Sequence, residues 1–119
     1  MVRHYFRDRR TLAAVLGTTD SVVWGPVLNG RVYHVTDLAV EDETSAPTTD
    51  VRVVVTGHGF DFPLLEQDSP GAATLYWSET EHVLTEGESL VARFRGATAA
   101  DVLQLYVSGW WEAPGAEGG

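Results

Sequence analysis

The sequence predicts an all-β protein: an antiparallel two-sheet β-sandwich, jelly-roll-like, of about eight strands behind an N-terminal arm. Three observations carry that expectation. Short alternations of apolar and polar residues recur along the chain, most regularly between Ala72 and Gly109. Clusters of Gly, Pro, Asn and Asp punctuate them at the spacing of about eight to twelve residues expected of a sandwich. No stretch has the length and period of a long helix.

Residues 1–10 (MVRHYFRDRR) are basic and aromatic without a settled period, so they read either as a frayed terminus or as an arm. As an arm they would order on an acidic neighbouring surface. Tyr5 and Phe6 would be its apolar anchors, and Arg3, Arg7, Arg9 and Arg10 its ion-pair donors. Thr11 can cap a short helical turn over Leu12–Leu16 that stops at Gly17, which extends the arm to residues 1–20. Ser21–Leu28 is β-prone but interrupted by Gly25-Pro26. Proline cannot donate to a ladder, so this is an edge strand or one bent at a bulge. Asn29-Gly30 is the strongest hairpin signal in the chain, because a type I′ turn needs positive φ at both central residues, and it predicts pairing with Arg31–Val40.

Glu41–Asp50 is an acidic, proline-bearing loop. Val51–Thr56 follows as a strand, with Val51, Val53 and Val55 on one face. Gly57-His58-Gly59 is a turn that exposes His58, and Phe60–Leu65 returns with Pro63 marking an edge position. Leu75 and Trp77 alternate with Thr74, Tyr76 and Ser78 and are expected in the core. After the short strand His82–Leu84 and a turn at Thr85–Glu88, Leu90, Ala92 and Phe94 form the next inward row. Leu103, Leu105 and Val107 line one face of the closing strand Val102–Trp111. The sandwich thus spans residues 21–112, and residues 113–119 (APGAEGG) form a flexible tail. Strand order is open at this level, with an immunoglobulin-like topology the alternative to a jelly roll.

At 119 residues the chain is one domain with a single core. It has no cysteine, which removes disulfides and thiolate zinc sites. The formal net charge is −9, against a nucleic-acid binder, yet the first ten residues carry +3 and leave −12 for the rest. All eight basic residues are arginine, which reads mainly as a GC-rich coding background. No run has the length of a membrane-spanning helix. The apolar stretch TLAAVLG is short for a signal peptide and Asp8 interrupts its basic flank, so synthesis and retention in a cytoplasm are expected, at least until assembly.

Catalytic signatures are not evident. There is no G-x-S-x-G, no phosphate-binding glycine loop and no H-E-x-x-H. His34, His58 and His82 are evenly spaced, but without an i, i+2 or i, i+4 pair nothing makes them converge on a metal. Glu41, Asp42, Glu43 and Asp50 lack the alternation and glycine of a calcium loop and read as a solvated cluster. Carboxylate pairs such as Asp61 with Glu66, or Glu79 with Glu81, could in principle do general acid–base work, but a glycosidase usually needs a deep cleft in a larger fold, and an enzyme is the least favoured class. No cofactor is expected. Trp110 and Trp111 are adjacent, so in a strand they face opposite ways. One exposed tryptophan would serve a subunit interface or a sugar-stacking platform; the other outcome is that the arm caps both.

The run LYWSETEHVLTEGESLVARFRG (Leu75–Gly96), the Val107–Gly109 close followed by an aromatic, and VLNGRVYHVTDLAVED (Val27–Asp42) carry a resemblance. Together they resemble small β-sandwich virion structural proteins of tailed phages of high-GC actinobacteria. That resemblance implies a head decoration or minor capsid protein, or a small tail component, located in the virion. Its partners would be the major capsid protein or other virion subunits, in a homo-oligomer with a trimer favoured, and neither nucleic acid nor membrane. It brings no catalytic residues. The sites expected to bind partners are Arg3, Tyr5, Phe6, Arg7, Arg9, Arg10, Trp110 and Trp111. The alternative is a carbohydrate- or receptor-binding module of a phage tail or a secreted protein.

Overall fold

The computed structural model describes residues 2–15, 19–44, 50–57 and 59–114. It is all-β, with nine strands in two antiparallel sheets. The strands are β1 (His4–Ala13), β2 (Thr19–Trp24), β3 (Val32–Asp42), β4 (Asp50–Thr56), β5 (Phe62–Asp68), β6 (Tyr76–Ser78), β7 (His82–Leu84), β8 (Ser89–Arg95) and β9 (Val102–Glu112).

One sheet runs β1-β9-β3-β6, with β7 also on β3; the other runs β2-β8-β4-β5. β6 and β7 pair with successive stretches of β3, at Leu38–Val40 and Tyr33–Val35, and so form one interrupted strand. With those two counted together, the pairing is nested. β1 pairs with β9, β2 with β8, β3 with β6 and β7, and β4 with β5, so the two halves of the chain run side by side as a long hairpin. The pairings β3·β9 and β4·β8 wrap that hairpin into two sheets.

Alternation places the core between the sheets. β2 alternates perfectly, with Asp20, Val22 and Trp24 inward. Val51 and Val53 on β4, Leu90, Ala92 and Phe94 on β8, and Leu103, Leu105 and Val107 on β9 meet Val35, Leu38 and Val40 of β3. The inward rows expected for β4, β8 and β9 are therefore in place. Pro63 lies on β5, an edge strand, where a bulge opposite Val53 and Val54 absorbs it. The segment Ser21–Leu28 is likewise at an edge as β2, which ends at Trp24 just before a cis Gly25–Pro26 bond.

Four expectations are corrected. The N-terminal residues are not an arm outside the sandwich: His4–Ala13 is a ninth strand, in unbroken register with β9. Its backbone stays extended through Ala13, so no helical turn starts at Thr11; Leu16 and Gly17 lie outside the described residues. Asn29-Gly30 does turn the chain, with Arg31 N–H donating to the Leu28 carbonyl at 3.2 Å. The strands it joins do not pair, because β2 and β3 belong to different sheets. Finally, Leu75 and Trp77 are exposed, at 47% and 65%. Tyr76 packs against the core instead, and its hydroxyl accepts from Gly71 N–H at 2.8 Å. A slip of one residue in parity exchanges the two faces of a strand, and a three-residue strand such as β6 is too short to fix its own. His58 and residues 115–119 of the expected tail lie outside the described residues.

Candidate interaction face

The outward side chains of the β1-β9-β3-β6 sheet lie in four cross-strand rows. Tyr5, Trp110, His34 and Val83 form the first; Arg7, Ser108 and Asp37 the second; Arg9, Tyr106, Ala39 and Trp77 the third; Thr11, Gln104 and Glu41 the fourth. Ala39 and Ser108 are small, and their rows sag between taller neighbours. The result is a concavity of about 350 Å³ lined by Arg7, Arg9, Asp37, Tyr106 and Trp77. A second hollow beside it reaches Tyr5 and Trp110.

The face is braced from the middle. Thr11 Oγ1 donates to Gln104 Oε1 at 2.5 Å, and Gln104 Nε2 donates to Glu43 at 3.0 Å. Tyr106 donates to Glu41 at 2.6 Å. That bond, followed by burial and the negative charges of Glu41 and Glu43, pushes the phenol up to about 12, with Arg9 acting in the opposite sense. A bulge at Thr36 breaks the β3·β9 register, and Thr36 Oγ1 reaches the Ser108 carbonyl at 3.4 Å. Opposite the bulge, a Cβ on Gly109 would lie 2.0 Å from the His34 carbonyl oxygen, so only glycine lets the strands approach there.

The eight residues expected to bind partners separate into two groups. Arg3, Tyr5, Arg7, Arg9 and Trp110 belong to this outward face, whereas Phe6, Arg10 and Trp111 have the opposite parity, on the inner side. Phe6 stacks on Trp24 at 5.5 Å and meets Tyr33 edge-on at 5.3 Å. Beside it, Trp24 Nε1 donates to Asp8 at 2.9 Å. Trp111 stacks on His4 at 4.0 Å, with the Arg31 guanidinium 3.8 Å from its ring centre. Trp110 is only 8% exposed: His34 stacks on one side at 3.7 Å, and Arg3 lies over the ring at 4.0 Å. The N-terminal strand thus caps both tryptophans, the third of the outcomes weighed for them. Arg10 is exposed, and its Nη1 donates to the Arg9 carbonyl at 3.3 Å. The exposed tryptophan is Trp77, which alternation alone had assigned to the core.

The opposite sheet has a different outer surface. Arg52 pairs with Glu66 at 2.9 Å, Arg93 with Asp61 at 2.5 Å, and Arg95 with Asp50. The Arg93 hydrogen bond holds the Asp61 carboxyl below its usual range, against a smaller opposing effect of desolvation. Those arginines are neutralised within the fold. In contrast, among the described residues Arg3, Arg7, Arg9 and Arg10 have no carboxylate within ion-pair distance. A further apolar notch of about 300 Å³ lies at the β5 and β7 margin, with Phe62, Leu64 and Val83 around His82. Burial pushes the His82 imidazole down.

The acidic residues of the 41–50 segment do not gather around a cation site. Glu41, Glu43 and Asp50 are taken by Tyr106, Gln104 and Arg95, and buried Asp42 accepts from Thr44 N–H at 3.0 Å. Among the described residues no three His, Asp or Glu side chains are grouped to hold a metal ion. His34 sits 3.6 Å from Glu81 and 3.8 Å from Glu112, distances too long for hydrogen bonds. Comparison with protein-family models, with curated proteins and with solved structures finds no match.

Proposed function

We propose that this chain is a virion structural protein, a head decoration or minor capsid subunit that binds and stabilises a capsid shell and catalyses no reaction. The observation that carries the reading is the outer face of the β1-β9-β3-β6 sheet. Arg7 and Arg9, which have no carboxylate partner among the described residues, line its hollow with exposed Trp77, and exposed Tyr5 lines the second hollow beside it. Arginine, tyrosine and tryptophan are the residue types enriched at subunit interfaces and at their energetic centres. The nested strand pairing supports the same reading. A long hairpin wrapped into two sheets is the plan of a jelly roll, an architecture shared by viral capsid and lectin domains. Fold alone carries no function, so the face is the stronger argument. Many copies on one shell would compensate for a modest affinity at each site, and a homo-oligomer, a trimer foremost, would add to that avidity.

The test uses heads of the encoding phage assembled without this chain. Purified protein should add to them at a fixed stoichiometry, seen by cryo-electron microscopy as density on the shell. The Arg7→Glu, Arg9→Glu double variant should leave the heads bare. Heads that stay bare at saturating wild-type protein would reject the reading.

A second reading, a carbohydrate-binding module, is favoured by Trp77 alone. Its ring stands 65% exposed beside Arg9 and Asp37, an apolar platform flanked by polar groups as sugar sites are. A glycan array that responds to wild type and goes dark for Trp77→Ala would favour it. Trp110 and Trp111 are already capped and are not the residues to change.

A further inference from the structure

We propose that the open edge of β1 is a strand-addition site for an extended acidic segment of a partner protein, one alternating carboxylate with apolar side chains. The inference rests on β1 itself and goes beyond the virion reading, since it holds or fails whatever assembly the chain joins.

The backbone supplies the first argument. Among the described residues β1 pairs with β9 alone, and its ten-residue register is unbroken. Proteins usually shorten, bulge or cover an edge of that length. Ala14, just beyond the strand, donates its N–H to the Asp101 carbonyl at 2.9 Å and accepts from Ala100 N–H at 2.9 Å, both on the β9 side. In an antiparallel strand a residue's two backbone groups point the same way, and that direction alternates along the chain. Even-numbered residues of β1 therefore face β9, and Tyr5, Arg7, Arg9 and Thr11 turn their N–H and C=O groups to the open edge. The Arg9 carbonyl agrees, because the Arg10 guanidinium reaches it at 3.3 Å from the exposed side.

Charge supplies the second. The same parity puts the side chains of Arg7 and Arg9 on the outward face, next to the backbone groups a new strand would engage. Carboxylates outnumber arginines about two to one in this chain, at 17 to 8, yet among the described residues none pairs with either arginine. Carboxylates at alternate positions of an added strand would lie directly opposite them, where cross-strand charge pairs are favourable. On the inner side, Leu12 is partly exposed and Phe6 only half-buried, with Asp8 and Arg10 between them, so the residues of the segment that meet Phe6 and Leu12 would be apolar.

A second copy of β1 fits poorly. Antiparallel self-pairing centred on Arg7, Asp8 or Arg9 sets Arg7 against Arg7, Arg7 against Arg9, or Arg9 against Arg9, and like charges directly opposite are destabilising. The net charge of −9 opposes any anionic ligand, and opposes nucleic acid, with a charge on every nucleotide, more than a segment whose carboxylates alternate with apolar residues and meet Arg7 and Arg9 locally. Strand addition draws affinity from main-chain bonds and specificity from alternate side chains, and this edge offers both.

The test titrates the full chain with a labelled peptide of alternating Glu and Val, long enough to span Tyr5–Thr11, followed by fluorescence anisotropy. Saturable binding is expected, weakening between about 50 mM and about 300 mM salt as the ion pairs are screened. Arg7→Glu with Arg9→Glu should weaken it about tenfold or more, with the melting temperature of the variant checked beside wild type. N-methylation of the peptide amides that face β1 should also abolish binding, and it leaves the protein untouched. Hydrogen exchange should slow at Tyr5, Arg7, Arg9 and Thr11 and stay unchanged at Phe6, Asp8 and Arg10. Equal binding of a Lys/Val peptide, or no new protection at those four amides, would overturn the proposal and leave the arginines as guards against unwanted pairing. Tighter binding of a single-stranded oligonucleotide than of the acidic peptide would overturn it in favour of nucleic acid.

Discussion

Tyr106 stands at the centre of the outer face of the β1-β9-β3-β6 sheet, and its hydroxyl is held by Glu41 at 2.6 Å. An unfolded tyrosine loses its proton near 10, whereas in the folded chain this one is pushed up to about 12. Between those values the folded state retains a proton that the unfolded state has released. The stabilisation is therefore full below pH 10 and is lost as pH rises through 12. Tyr106→Phe should flatten the fall in melting temperature between pH 10 and 12, measured by circular dichroism beside wild type. A slope unchanged by the substitution would show that Glu41 does not hold the phenol. Trp77 and Phe94 give a second residue-level test, since both are aromatic and both lie on strands. Trp77→Ala should cost under about 1 kcal/mol, as surface changes do. Phe94→Ala removes a ring with no exposed surface and should cost about 3–5 kcal/mol in urea unfolding. If Trp77 proved the costlier, its placement on the exposed surface would be wrong.

At the scale of elements, the bulge where β3 meets β9 is the joint that shapes the face. A Cβ at Gly109 would strike the His34 carbonyl, and neither backbone can retreat without losing ladder bonds on both sides of β9. Gly109→Ala should cost about 1–3 kcal/mol. Gly30 is the control, because a Cβ there meets nothing within 4 Å and only its φ of +81° is unfavourable. Gly30→Ala should cost about 1 kcal/mol, and equal losses for the two would remove the clash as the explanation. The elements also show what a sequence reveals and what it withholds. β8 and β9 are legible because each buries a full row, at Leu90, Ala92 and Phe94 and at Leu103, Leu105 and Val107. β1 is not legible, because an edge strand at the sandwich margin tucks in little more than Phe6, and Asp8 and Arg10 share its inner row. Asn29-Gly30 announces a turn correctly, but a turn signal does not say to which sheet each flanking strand belongs. Trp77 was misplaced for a related reason: with only Tyr76–Ser78 in the strand, pairing to β3 decides which face is inward.

For the whole molecule, the nested pairing sets the order in which contacts can form. β4 and β5 are joined by a short connection, whereas β1 and β9 lie at opposite ends of the described chain. Closing a loop costs more entropy as it lengthens, so the inner pair is the least costly to form and the outer pair the most. A topology dominated by distant pairings folds slowly, in about milliseconds to seconds. The valine row of β4 paired with β5 should therefore be structured early in the transition state, and the β1·β9 pair should join last. Val53 and Leu103 are both fully buried, one on β4 and one on β9. Val53→Ala should act mainly by slowing refolding. Leu103→Ala should act mainly by accelerating unfolding, because contacts made after the barrier affect only the return rate. Stopped-flow fluorescence across a urea series separates the two, since the four tryptophans lie on both sheets. If Leu103→Ala slowed refolding as much as Val53→Ala, the chain ends would already be paired at the barrier. In the expected order, β1 is the last strand to dock and is an edge of the finished fold. A late-docking edge with alternate backbone groups open and arginines on its outer face is where a partner strand would meet least competition from the rest of the chain.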